Sequence, residues 1–237
     1  MMRLVDRDRR HALATLLLLP LALAAAALPL AGQRAAPAAG GSPAAGGAVF
    51  VGCGYLLAQN HGRESFTLLL RGDHVHSLPV ESGEMWVIDD VLVELTSVRA
   101  RDLGAPGARG AALLRAHRDW ELAFTARSNG WPPIRASGGQ ADVAQPGIPT
   151  LLWGYDVPGA LTVFDQRIPR VMYLTAAIGD LVFVMGLPMR ASDDPGRVAR
   201  TASRALRSLR RANGPIDVNG LARQVRAHPQ PWPGCTG

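Results

Sequence analysis

His74 and His76 sit two residues apart, and in an extended segment that spacing puts both imidazoles on one face. Two imidazoles beside a carboxylate are the raw material of a zinc or copper site, and Glu64, Asp73 and Glu81 lie near in sequence. Such a centre needs three or four ligands, and spacing places no others. Histidines next to a turn are far more often solvated, so His74 and His76 stand as metal candidates only, and no cofactor is expected. A second pair, His117 and Glu121, is four residues apart on a helical pattern and shares a face. It suits metal binding or proton transfer, but its ordinary role is a hydrogen bond or ion pair on a helix surface. Cys53 lies in an apolar run rather than at a polar helix start, which argues against a nucleophile. There is no Gly-x-Ser-x-Gly, no Ser-x-x-Lys and no Gly-rich phosphate cradle in a strand–turn–helix context. Arg200, Arg204, Arg207 and Arg211 follow helical spacing, broadened by Arg197 and Arg210. They are either a solvated outer face or an anion-contact surface for lipid headgroups, acidic polysaccharide or an acidic partner.

Composition narrows the chemistry further. All 25 basic residues are arginine, so Schiff bases, Ser–Lys dyads and a P-loop lysine are excluded. The net charge of +6 is carried entirely from Arg190 onward, where nine arginines face three aspartates; the rest of the chain balances at sixteen against sixteen. A nucleic-acid-binding domain would spread its basic footprint more widely, so nucleic acid is not an expected partner.

The chain opens with Arg3, Arg7, Arg9 and Arg10, then an apolar run from Ala12 to Ala31. A basic start, an apolar stretch and small residues behind it form the pattern of a secretory signal. The run would span roughly 30 Å as a helix, so it also fits an uncleaved anchor. Arg9-Arg10 is a partial twin-arginine pattern without the usual preceding Ser or Thr. The expected destination is periplasmic or extracellular, with membrane contact through the N-terminal segment. Residues 1–32 are read as signal or anchor, 33–47 as a Pro/Ala/Gly linker, and 48–237 as a single α+β domain with an irregular tail. In an exported chain the even cysteine count points to a disulfide between Cys53 and Cys235, against the alternative of Cys53 as a buried thiol. No Cys-x-x-Cys is present for a zinc ribbon or a thioredoxin-type site.

These residues must be carried by elements. Strands are expected over 48–59, broken at Gly52 or Gly54, then at 65–71, 74–80, 85–88 and 91–98. A helix follows the Gly/Pro loop at 104–110, with Leu113, Ala116, Trp120, Ala123 and Phe124 as its apolar face and Asn129-Gly130 as its stop. Beyond a polar loop at 131–147 come strands at 150–155, 171–177 and 182–187, the last two joined by a tight hairpin at Ile178-Gly179-Asp180. Asp194 and Pro195 open a closing helix whose apolar face is Val198, Ala202, Ala205, Leu206 and Leu209, ended by Asn213-Gly214. A short helix is expected near 221–226. The economical arrangement is a central antiparallel sheet flanked by helices and closed by the C-terminal amphipathic helix.

The segments VLVELTSV, LLRAHRDWELAF, LLWGYDVP, VMYLTAAIGDLVFVMGLPM and DDPGRVARTASRALRSL, above all Tyr173 to Leu209, resemble uncharacterised exported bacterial proteins of the PsbP-like fold superfamily. The resemblance covers about residues 66–209 and consists of packing motifs. It implies an antiparallel sheet flanked by helices and a non-enzymatic accessory, binding or assembly role, and it carries over no ligand residues. The expected function is a non-catalytic exported domain that binds an envelope protein or ligand. The rival is a small exported metal-dependent hydrolase at His74 and His76, with Glu64 or His117 as a third ligand.

Overall fold

The described residues fold mainly as antiparallel sheet with three helices, broadly α+β. The structure is a computed structural model, and it describes residues 46–78, 84–139 and 147–227, together with Trp232, Pro233 and Cys235. The expected signal, residues 33–45 of the linker, Glu81 and the rest of the tail lie outside the described residues.

The strands are β1 (Gly46–Phe50), β2 (Gly54–His61), β3 (Glu64–Arg71), β4 (Val75–Leu78), β5 (Glu84–Ile88), β6 (Val91–Arg99), β7 (Thr150–Val163), β8 (Gln166–Ile178), β9 (Leu181–Met189) and β10 (Arg210–Ala212). The helices are α1 (Gly110–Asn129), α2 (Pro195–Arg207) and α3 (Val218–Ala227). There are two sheets rather than the single one expected: a four-stranded sheet ordered β1-β2-β3-β10 and a six-stranded sheet ordered β4-β5-β6-β9-β8-β7, the latter curled into a half-barrel. Strand β10 was not foreseen. α2 ends at Arg207, before Asn213-Gly214, and the next residues pair antiparallel with β3.

Tight connections set the registers. Gly179 adopts a left-handed φ of 61° in the two-residue turn between Ile178 and Leu181, as its sequence suggests. The β7–β8 turn uses Phe164 and Asp165 in the same left-handed region, so β7 runs to Val163, well past the expected end at Tyr155. That turn has neither Gly nor Asn to announce it.

Alternation along the six-stranded sheet divides the core. Val93, Leu95, Leu174, Phe183 and Met185 face the four-stranded sheet and α2, while Leu92, Val98, Tyr173, Val182 and Val184 face α1. All nine residues of β9 are buried, which explains its unbroken apolar sequence. α2 closes the gap between the sheets with Val198, Ala202, Ala205 and Leu206, and the following Leu209 is buried with them, the face expected from the sequence. Asp194 caps the helix by accepting from the backbone N–H of Gly196 and Arg197, with Pro195 in the first turn. On the outer face of the four-stranded sheet, Val51, Leu56 and Leu69 pack with Leu221 and Val225 of α3 and with Trp232 of the tail.

α1 does not bury the face expected of it. Its buried residues are Leu113, Leu114, His117, Glu121, Thr125 and Ala126, while Ala123 is exposed and Trp120 and Phe124 stack on each other at a half-exposed position. Polar residues occupy the inward stripe because polar partners wait for them on the sheet.

Candidate functional site

The histidine pair comes first. His76 lies on β4 opposite Val87, and His74 precedes the strand; both side chains are exposed. The backbone N–H of His74 donates to Asp89. Glu64 accepts from Arg211 at 2.9 and 3.2 Å, and His117 is buried beneath α1. Among the described residues no three His, Cys, Asp or Glu side chains are grouped closely enough to hold a metal.

A buried polar cluster lies between α1 and the six-stranded sheet. One row across the sheet reads Met85, Glu94, Gly186, Tyr173 and Trp153. Gly186 contributes no side chain, and a cavity of about 10 Å³, close to the size of one water, opens there between Glu94, Tyr173, His117 and Glu121. The Tyr173 and Thr125 hydroxyls donate to Glu121 at 3.2 and 3.1 Å. Trp153 stacks on Tyr173 with ring centroids 4.4 Å apart and seals that side. Glu94 Oε2 and His117 Nδ1 are buried without a hydrogen-bond partner. Burial, helped by the neighbouring Glu121 charge, pushes the Glu94 carboxyl up to about 8. Burial pushes Glu121 up to about 7 against the pull of its two hydroxyl donors, and lowers His117 to about 4. Burial first, then Glu121, raises Tyr155 to about 12. Near neutral pH Glu94 therefore holds its proton, Glu121 is balanced between its two forms, and the imidazole is neutral. The cluster is too small for a substrate.

The arginines make the third region. Only Arg200, Arg204 and Arg207 of the four striped arginines lie on α2; Arg211 is on β10 and turns to Glu64. Arg200 pairs with Asp194 at 3.5 Å. Ser208 fastens the end of α2 to β3, accepting from Leu69 N–H at 2.7 Å and donating to the Ala205 carbonyl at 2.6 Å. That junction brings Arg204, Arg207 and Arg210 beside Arg71 around an open groove of about 850 Å³. Arg210 is held there by donating to the carbonyls of Arg207 and Leu209, both at 2.8 Å. Leu56, Thr67 and Leu69 line its floor, Trp232 and Pro233 form a wall, and no carboxylate is among the described residues around it. The wall is tied to the sheet by a disulfide between Cys53 and Cys235, whose Cα atoms are 5.7 Å apart across 182 residues of sequence.

Sequence reasoning found Arg204, Arg207 and Arg210 but not Arg71, which comes from β3 and joins them only through the pairing of β10 with that strand. It found His117 and Glu121 but missed Glu94, Tyr155 and Tyr173. The one local signal was Glu94 itself, a lone carboxylate inside the apolar strand VLVELTSV.

Comparison of the chain with protein-family models, curated proteins and solved structures returned no match. Among the described residues no helix is long and apolar enough to cross a membrane.

Proposed function

We propose that this chain is a non-catalytic, exported binding domain that holds an acidic polysaccharide at the cell envelope. The observation that carries this reading is the groove: four guanidinium groups beside one indole, with no carboxylate among its described lining. Guanidinium forks match carboxylate and sulfate groups in a two-pronged way, and an indole face offers a stacking platform for a sugar ring. A concave channel takes a chain better than it takes a flat bilayer. The disulfide that holds the tryptophan-bearing wall fits an oxidising compartment, as does the secretory pattern of the N-terminus. The relation to PsbP-like proteins is part of the same proposal, supported by the β8–β9 hairpin and the acidic turn leading into α2. Metal-dependent hydrolysis at His74 and His76 has no observation in its favour.

The test is calorimetric titration of the oxidised protein with polygalacturonate, with neutral dextran and phosphatidylglycerol vesicles as comparators. Saturable, salt-weakened binding to polygalacturonate alone is expected. Replacing Arg71, Arg204, Arg207 and Arg210 together with glutamine should abolish it. Preference for the vesicles, or unchanged binding by the fourfold variant, would refute the proposal.

A further inference from the structure

A second basic hollow lies beyond the arginine groove, where the β2–β3 turn, the β8–β9 turn and the loop from β6 to α1 meet. It is open, measures about 530 Å³, and is lined by Arg63, Arg99, Arg101 and Arg109 with the carboxylates of Glu64 and Asp180. Both carboxylates are already answered. Arg99 faces Asp180 at 3.4 Å and donates to the His61 carbonyl at 2.6 Å, which clamps the two turns together. Glu64 is held by Arg211 of β10 at 2.9 Å. Three guanidinium groups are left over. Arg101 has only its neighbour Asp102, 3.4 Å away with both side chains exposed, a pairing that contributes little. Arg109 donates to the carbonyl of Ala108, and Arg63 is in no ion pair among the described residues. α1 adds no acidic residue in its first turn.

The hollow and the groove share one strand. Thr67 lines the groove and Glu64 the hollow, about 10 Å apart along β3. β10 runs beside that stretch as the outermost strand of its sheet, with Arg210 opposite Thr67 and Arg211 opposite Phe66. Successive side chains of a strand point to opposite faces. Arg210 therefore turns to the groove, and Arg211, its side chain 57% exposed, turns to the hollow through Glu64. Guanidinium groups thus follow one another from the groove, over the open edge of β10, to Arg63. A small acid meets one end of such a row; a polymer with a carboxylate on every ring meets all of it. Charge is screened over about 8 Å at physiological ionic strength. The hollow therefore adds to binding in the groove only through a ligand that touches both.

We propose that the acidic polysaccharide held in the groove continues over the edge of β10 into this second hollow, so that the protein selects long polyanionic chains over short acidic sugars. The inference rests on the groove reading and fixes the length of ligand that the groove serves. The second contact forms within a complex already bound, where effective concentration lets a weak site count. With two carboxylates in its lining, the hollow is too weak to hold the polymer by itself.

The test titrates polygalacturonate calorimetrically into the oxidised parent and two triple variants. One replaces Arg63, Arg101 and Arg109 with glutamine. The other replaces Arg127, Arg135 and Arg167, which are also exposed and line neither site, and so controls for net charge. Only solvent-facing side chains change, so both variants keep the fold. Loss of the hollow should weaken binding about tenfold and reduce the number of sugar units covered by each bound protein. The control should keep the parent's coverage and stay within about twofold of its affinity. Unchanged affinity or unchanged coverage in the first variant, or an equal loss in the control, would overturn the proposal and leave the groove reading standing. A parent that does not bind, or a fourfold groove variant that binds undiminished, would remove the groove reading and this extension with it.

Discussion

Replacing Glu94 by glutamine should make the protein more stable, and by an amount that depends on pH. The unfolded chain releases the Glu94 proton near 4.5, whereas burial and the Glu121 charge keep the folded chain holding it up to about 8. Below 4.5 both states are protonated and the carboxyl costs nothing. Between 4.5 and 8 only the unfolded state ionises, so stability is lost with rising pH at about 1.4 kcal/mol per unit. By pH 7 the loss reaches about 3 kcal/mol, and above 8 it stops growing. Glutamine, of nearly the same shape, does not ionise and removes this loss. Glu121, raised to about 7, contributes a slope of the same sign, and His117, lowered to about 4, contributes the opposite sign between about 4 and 6.5. Comparing the parent with Glu94→Gln cancels both to first order. Urea unfolding of the oxidised proteins, followed by tryptophan fluorescence at pH 4, 5.5, 7 and 8, is the measurement. The two should coincide at pH 4 and separate to about 3 kcal/mol at pH 7. That is a rise in melting temperature of roughly 6–10 °C for a domain of this size. Parallel curves would refute the reasoning. A variant less stable at every pH would show that the folded protein carries a charged and well-matched Glu94.

Leu206→Ala should cost 2–5 kcal/mol in the same assay, because the side chain is fully buried between the sheets, while the exposed Arg204→Gln should stay within about 0.5 kcal/mol. Equal effects would mean that α2 does not close the core. Cys235→Ser should lower stability by about 2–4 kcal/mol and weaken polygalacturonate binding by releasing the Trp232 wall of the groove. Undiminished binding by that variant would show that the wall takes no part.

What could be read from sequence was what neighbouring residues settle among themselves. Asp194 and Pro195 start α2, Gly179 makes a hairpin, and the apolar face of α2 follows a helical period with Thr201 its one buried polar residue. The cysteine pairing followed from an even count in a chain whose start reads as a secretory signal. The failures share a cause: each needed a partner distant in sequence. Three arginines cannot reveal that β10 will join β3 and bring Arg71 to them. Periodicity assumed that apolar residues face inward, so on α1 it chose Trp120 and Phe124 over His117 and Glu121. The inward choice is set by Glu94 and Tyr173, from strands that meet α1 only after folding. Phe164 and Asp165 make a turn that usually recruits Gly, Asn or Asp, and Asp165 alone is a weak local mark of it.

The bond between Cys53 and Cys235 also imposes an order in time. Under the proposed export, the chain emerges from a membrane pore N-terminus first and presents β1 to β3 early, with their outer face bare. Until residues some 180 positions later have followed, Cys53 has no mate, and the four-stranded sheet lacks both its last strand and the segment lying over it. During that interval a reactive thiol and an uncovered apolar patch coexist on a half-made molecule. Such a precursor depends on whatever oxidant or chaperone meets it at the pore exit. Its yield in a host should therefore track the thiol-oxidising capacity of the receiving compartment rather than the rate of synthesis.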